Sequence, residues 1–237
     1  MSKTNITNNV IKVAIIPARY GSKKNKKKNI KNFYSKPMIY WTISKLLKSK
    51  FFDKIIVSSD SQKILNISRS CGADILIDRP SRLSGDKIAT QPVIIHAIEV
   101  LEKEYNYFPE FVSSIYPCNP FLKKKDLTDS FNMLKKKKSK FVIPVAEYSH
   151  PIQRALIINN KNNLTPYNSK NSLKRTQDLK KTYHDAGQFC WGTRKNWKKV
   201  QNIHGNSLGL KIPSWRVVDI DNISDWKRAE KLFKIFN

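Results

Sequence analysis

Four consecutive apolar residues, Val13–Ile16, closed by Pro17, constrain the fold more than any other stretch of the chain. A strand with no polar alternation is covered on both faces, and proline, which has no ladder donor, belongs at its end. Similar runs recur at Ile55–Val57, Asp74–Ile77, Phe111–Tyr116 and Phe141–Val145. Between them apolar residues return at helical spacing. Ile39, Ile43, Leu46 and Leu47 follow Pro37, Ile64, Leu65 and Ile67 precede Gly72, and Val93, Ile94, Ala97, Ile98 and Leu101 mark a longer helix. A further helix is expected around Asp126–Lys135. Strands alternating with helices predict an α/β fold with a doubly wound, mainly parallel sheet. The 237 residues suffice for one domain, 1–237, with a substantial core.

The alternation breaks at about residues 147–183, where Asn, Lys, Ser and Thr dominate and only Ala155–Ile158 reads as a strand. So long a segment without regular structure is expected to be an inserted arm that packs on a substrate or a second subunit. Strands are expected again at Phe189–Gly192 and Ser214–Ile220. A last helix from Ser224 turns Trp226, Ala229, Leu232, Phe233 and Phe236 inward.

The 45 Lys and Arg against 18 Asp and Glu give a formal charge of +27, which raises nucleic acid or an anionic membrane as a partner. The lysines are spread along the chain with abundant Asn and Ile, and they are not interleaved with aromatics in a recognisable binding module. Neither partner is therefore expected. The run Lys135–Lys138 follows Phe131, Met133 and Leu134 at an expected helix end, where cations favour the dipole. Cys71, Cys118 and Cys190 are odd in number and far apart, which suits a reducing compartment. The first nine residues lack a signal peptide's apolar core, and no stretch approaches the roughly 18 apolar residues of a membrane span, so a cytoplasmic protein is expected.

Four stretches carry candidate chemistry. After Pro17 the chain opens into a basic loop with Arg19, Gly21, Ser22, Lys23 and Lys28. Positive charge and exposed N–H groups just past a strand end suit a phosphate, although a lysine-rich surface turn has the same composition and the Walker spacing is absent. In VVDIDNISD, Asp219 and Asp221 lie two residues apart, so on an extended strand both carboxylates face one way and can hold a hard cation such as Mg²⁺. Turn or capping roles are the alternative for that pair, and Asp225, at a helix start, is expected to favour the helix dipole and not to be a ligand. The segment DRPSRLSGD offers Arg79, Arg82 and Asp86 beside a strand end, for a base, a phosphate or a surface salt bridge. Tyr183, His184, Asp185 and Gln188 cluster before an apolar strand and offer hydrogen bonds to a polyhydroxylated ligand. His184 beside Asp185 is not a nucleophilic triad, so a binding role is expected.

The ordered blocks IPARYGSK, KPMIYWTI, IIVSSD, RPSRLSGD, PIQRAL, YHDAGQF and VVDID resemble the acylneuraminate cytidylyltransferase family, the CMP-sialic acid synthetase group, over nearly the whole chain. PIQRAL, RTQDL and YHDAGQF look most like the branch that activates pseudaminic acid. The resemblance implies a Rossmann-like nucleotidyltransferase fold that binds CTP over the first loop. It also implies a small arm that forms a homodimer and covers the sugar acid. Ala18, Arg19, Gly21, Ser22, Lys23, Lys28 and Asn29 fall on nucleotide-binding positions, and Arg79 and Asp86 on the segment that recognises cytidine. Asp219 and Asp221 match metal-binding aspartates and, with Arg19 and Lys28, the catalytic positions. Arg154, Gln177, Asp178, Tyr183, His184, Asp185 and Gln188 fall in segments facing the nonulosonic acid. The implied reaction is attack of the sugar's anomeric hydroxyl on the α-phosphate of CTP, giving a CMP-sugar and pyrophosphate.

The chain departs from that pattern at Tyr20, where the family has glycine, and at Asn25-Lys26, where it has Ile-Pro. It departs again at Tyr116–Pro120, where small residues and threonine are usual, and at Cys190, which replaces an aromatic. Tyr20 and Asn25-Lys26 lie in the nucleotide loop, so a catalytically weak nucleotide- or sugar-binding homologue is the alternative reading.

Overall fold

The computed structural model describes residues 10–21, 27–137, 139–171 and 173–236. Strand β1 (Lys12–Pro17) runs through its middle, and its side chains alternate between two cores. Ala14 and Ile16 enter one, Val13 and Ile15 the other, and all four are fully buried. Burial on both faces is what the unbroken apolar run demanded.

From β1 the chain makes the short hairpin β2 (Asn32–Phe33) and β3 (Lys36–Pro37), then helix α1 (Met38–Ser49), β4 (Lys54–Ser59), α2 (Gln62–Ser70) and β5 (Ile75–Asp78). Helix α3 (Thr90–Glu104) returns it to β6 (Phe111–Ile115) on the far side of β1, and α4 (Lys124–Lys137) leads to β7 (Phe141–Glu147). An arm follows, whose hairpin β8 (Leu156–Ile158) and β9 (Leu164–Pro166) pairs only with itself. The chain re-enters the sheet through β10 (Tyr183–Asp185), β11 (Phe189–Thr193), α5 (Arg194–Lys199) and β12 (Ser207–Lys211), and ends in α6 (Ile223–Phe236).

The sheet order is β5-β4-β1-β6-β11-β7, with β10 and β12 also paired to β7. Pairs β1–β4, β4–β5, β1–β6 and β7–β12 are parallel, while β11 runs antiparallel to both its neighbours. Strands β10 and β11 lie along one edge of β7, but Asp185 opposes Val145 whereas Trp191 opposes Val142. The extra residues bulge out at Ala186–Gln188, beside the carboxyl ends of the central strands. Helices α1, α2 and α4 cover one face of the sheet through Ile43, Ile64 and Phe131, and α3 and α5 cover the other through Ile98 and Trp197.

The expected strand over Ser214–Ile220 does not form. Pro213 cannot extend a ladder, Ser214–Arg216 make a 3-10 turn, and the edge of β7 is already occupied by β12. Asp219 and Asp221 therefore sit on an unpaired segment. Ile220 between them is anchored instead by α6, packing with Phe33, Met38, Phe121, Trp226 and Phe233. Asn222 and Asp225 close the start of α6 reciprocally: the Asn222 and Asp221 N–H groups donate to Asp225 Oδ2, and the Asp225 N–H donates to Asn222 Oδ1, each at 3.0 Å. Asp225 thus lies at the helix start, where its charge favours the dipole, and it also caps the helix and fixes the backbone of Asp221.

Candidate active site

Because the chain leaves β1 toward β4 and later returns to β6, a crevice opens beyond the carboxyl ends of β1 and β6, where open α/β sheets bind ligands. The first loop enters it. Ala18 is buried, and its N–H donates to the Ser58 carbonyl at 2.9 Å. The Arg19 guanidinium reaches across to a carboxylate oxygen of Asp86. The Tyr20 N–H donates to Asp60 Oδ1 at 2.8 Å, its ring packs on the core, and Lys27 lies over the ring at 5.5 Å. Tyr20 is not among the left-handed residues, so this backbone position does not need glycine. Gly21 is exposed, and an added Cβ there would meet nothing. Ser22, Lys23 and the Asn25-Lys26 pair lie outside the described residues.

At the loop's end a 3-10 turn, Lys28–Ile30, aims two side chains inward. Lys28 Nζ donates to the Ile220 carbonyl at 2.7 Å and to Asp221 Oδ1 at 3.0 Å. The two most distant motifs of the sequence therefore meet in one site. Asn29 is buried, with Nδ2 donating to the Arg19 carbonyl at 2.7 Å and Oδ1 accepting from the Cys118 thiol at 3.1 Å. Asn29 thus ties the loop to the segment after β6. That segment is held in turn by Thr42, whose hydroxyl donates to the Pro117 carbonyl and accepts from the Asn119 N–H.

Asp219 carries the clearest electrostatic signal. Burial first, and then the neighbouring Asp221 carboxylate, push its carboxyl above the usual range, with Lys28 opposing the shift. Asp185 and Asp225 add to the negative field. Gly187, left-handed in the bulge, approaches so closely that an added Cβ would lie 3.4 Å from Asp219 Cγ. Paired oxygen donors short of positive charge fit a hard divalent cation.

Arg79 is the opposite case. Its side chain is 4% exposed, its closest carboxylate is Asp60 at 3.8 Å, and its Nε and Nη2 have no hydrogen-bond partner. Burial lowers its pKa, which Asp60 offsets only in part. The guanidinium lines a cavity of about 170 Å³ with Arg19, Lys28, Asn29, Thr90 and Tyr116. Asp86 is present through its pair with Arg19.

A second cavity of about 300 Å³ adjoins the first at Ala89, Thr90 and Tyr116, and runs under the sheet to Asp185, Cys190 and Trp197. The Tyr116 phenol sits at the junction, with its pKa pushed up to about 12 by burial and then by Asp185, so it stays protonated at neutral pH. Asp185 holds the bulge through the Gly187 N–H at 2.8 Å and faces His204 Nε2 at 3.3 Å. Gln188 is buried, with its carbonyl accepting from the Tyr116 N–H and Asn119 Nδ2. His184 turns away, with Nδ1 at 2.8 Å from the Asp185 carbonyl and its ring against Tyr148. Tyr183 lies under Lys211 at 5.0 Å. Arg154, Gln177 and Asp178 are exposed on the arm and line neither cavity.

Sequence reasoning missed Asp60 as part of the site, and it singled out Tyr116–Pro120, which includes Asn119, only as a departure from the family pattern. Asp60 and Tyr116 follow the carboxyl ends of β4 and β6, which is the one signal that marks them. Among the described residues no cluster of three metal-ligating side chains occurs, and no helix is long and apolar enough to cross a membrane.

Residues 13–196 match a family model described as cytidylyltransferase. The chain is 36% identical over 224 residues to a pseudaminic acid cytidylyltransferase of Campylobacter jejuni, covering 94% of this chain and 96% of that protein. It is 28% identical over 219 residues to an N-acylneuraminate cytidylyltransferase of Escherichia coli, covering 92% of this chain and 51% of that protein. Its fold is similar to that of a CMP:2-keto-3-deoxy-manno-octonic acid synthetase solved with CTP, at a TM-score of 0.71 and 13% identity, covering 95% of this chain and 99% of that one.

Proposed function

Because the chain belongs to the cytidylyltransferase family, we propose that it activates pseudaminic acid, or a close nonulosonic acid, with CTP. The carrying observation is the 36% identity to a pseudaminic acid cytidylyltransferase across 94% of the chain. The anomeric hydroxyl oxygen attacks the α-phosphorus, the bond to the bridging oxygen breaks, and pyrophosphate leaves with its electron pair as the hydroxyl proton is lost.

In-line transfer asks the protein mainly to position the reactants and stabilise charge. Arg79 offers its unpartnered nitrogens to acceptor atoms of the nucleotide in the first cavity. Arg19 and Lys28 face the triphosphate, and Asn29 holds the Arg19 backbone in place. Asp219 and Asp221 would hold Mg²⁺, which supplies positive charge to the phosphates when bound. Tyr116 and Asp185 stand between the nucleotide and the second cavity, which receives the sugar acid, and the buried Gln188 supports Tyr116 through its carbonyl.

The arm completes the reading. Leu156, Ile157, Ile158 and Leu164 are half or more exposed on the β8–β9 hairpin, an apolar surface that a second copy of the chain would cover. Arg154, Gln177 and Asp178 on the same arm would then serve the partner's sugar site. CTP is a cytoplasmic substrate, and the three free cysteines suit that compartment. Pyrophosphate release with CTP and Mg²⁺ across a panel of nonulosonic acids tests the activity, and no release with any of them refutes it. Light scattering tests the dimer.

A further inference from the structure

The turn that aims Lys28 and Asn29 inward starts from a residue in an unfavourable conformation. Lys27 has φ 60° and ψ 23°, in the left-handed region, and its carbonyl accepts the N–H groups of Ile30 and Lys31 at 3.0 Å each. A side chain makes that region costly in a way that glycine escapes, so a lysine stays there only where its surroundings hold it. The carbonyl is held by the turn itself, and the ammonium lies 5.5 Å from the centroid of the Tyr20 ring. Tyr20 is anchored independently of Lys27. Its N–H donates to Asp60 Oδ1 at 2.8 Å, and its ring packs on the same core as Ile30.

We propose that Tyr20 is a positioning residue for the triphosphate: its ring holds Lys27 left-handed and so sets the spacing of Arg19 and Lys28. The inference rests on the activity proposed above. Arg19 precedes Tyr20 and Lys28 follows Lys27, so the contact between ring and ammonium joins the immediate neighbours of the two cations that face the phosphates. The Asn29 side chain links the same two segments a second time through the Arg19 carbonyl. With both links made, Lys28 reaches the Ile220 carbonyl and Asp221. Were Lys27 to leave the left-handed region, the turn would lose the carbonyl from which it starts, and Lys28 and Asn29 would no longer be directed into the crevice. Tyr20, one of the chain's departures from its family, therefore supports the geometry of the site.

Calorimetric titration with CTP and Mg²⁺, alongside pyrophosphate release, tests this. Tyr20→Leu and Lys27→Met should each raise the Kd and KM for CTP about two- to fivefold, the worth of one exposed cation–π contact, with KM for the sugar acid unchanged. The double variant should bind no more weakly than either single one. Tyr20→Phe, which keeps the ring, should bind CTP as wild type does. Glycine adopts the left-handed conformation without a holding contact, so adding Lys27→Gly to Tyr20→Leu should restore CTP affinity. A merely structural role for Tyr20 would lower the melting temperature of the leucine variant and leave the glycine substitution unable to restore binding. A failed rescue, or losses that add in the double variant because Lys27 meets the nucleotide directly, overturns the inference. If the leucine variant does not fold, the exposed Lys27 decides: Lys27→Met should weaken CTP binding and Lys27→Gly should not, and equal affinities in the two overturn the inference. A wild type that binds CTP but turns over no nonulosonic acid overturns the proposed activity alone, since the titration still reads the role of Tyr20. A wild type that binds no CTP overturns both.

Discussion

Replacing Arg79 with methionine should separate stability from binding, and the structure sets the size of each effect. The side chain is 4% exposed, with one carboxylate at 3.8 Å and two nitrogens unpaired. Those two nitrogens have lost their hydration without regaining hydrogen bonds, and the lowering of the pKa by burial is the same cost expressed as proton affinity. Replacing a poorly compensated buried ion pair by an apolar side chain is often neutral or stabilising. Asp60 is not left bare, because its Oδ1 still accepts from the Tyr20 N–H at 2.8 Å. Arg79→Met should therefore unfold thermally within about 3 °C of wild type, or above it, corresponding to ~1 kcal/mol at this size. Nucleotide binding should suffer. A hydrogen bond from a charged group is worth about 1.5–3 kcal/mol, so losing even one to CTP should weaken affinity by roughly 13- to 160-fold. Calorimetric titration with CTP and a melting curve without it measure both. A Tm drop of about 8 °C or more with unchanged CTP affinity would show that Arg79 is a structural partner of Asp60, and would refute the argument.

Asp219→Asn should abolish most turnover and leave the fold intact, and near-normal rates would reject the metal assignment. Its stability has a definite pH signature. The raised pKa makes wild type gain stability relative to the variant as pH falls through the folded pKa toward the ordinary carboxylate value of 3.8, so the variant should be the more stable of the two at neutral pH without metal, with the gap closing in acid. Urea melts across pH 4–8 would show it. Lys28→Ala should weaken CTP binding about tenfold, since Lys28 is the described lysine that touches the aspartate pair; unchanged affinity would remove it from the phosphate site. Arg216→Met should cost about 3–5 kcal/mol, because it strands the buried Asp126 carboxylate that now receives both guanidinium nitrogens, and a melting temperature unchanged from wild type would contradict this.

The central strands were legible because burial on both faces leaves an unbroken apolar run, as at Val13–Ile16. β12 was not, because its sequence, Ser-Leu-Gly-Leu-Lys, has glycine at its centre. Gly209 packs closely there: an added Cβ would stand 3.0 Å from Val145 Cγ2, so the close approach to β7 favours a residue without the side chain that would have marked a strand. The misread Ser214–Ile220 is the complement, with apolar residues enough for a strand but no free edge to join. Of the candidate site, Arg19, Lys28, Arg79 and Asp86 were legible as residue types in loops past strand ends, and Asp219 and Asp221 as an acidic pair, although the strand expected to carry that pair does not form. The contacts among them were not, because Lys28 meets Asp221 across 193 residues and Asn29 meets Cys118 across 89.

Those contacts also decide how the site responds to an anion. Arg19 is neutralised by Asp86 and Lys28 by Asp221, so a triphosphate that takes either cation exchanges one anionic partner for another and gains only the difference. Arg79 has no hydrogen bond to give up at two nitrogens, so its contacts with a ligand are a net gain. Affinity should therefore concentrate at Arg79, and orientation of the phosphates at Arg19 and Lys28. A cation held by Asp219 and Asp221 would compete with Lys28 for the same carboxylate and turn the ammonium toward the phosphates. Binding of metal and nucleotide would then be coupled through Lys28, because each would relieve a charge that the other site had been balancing.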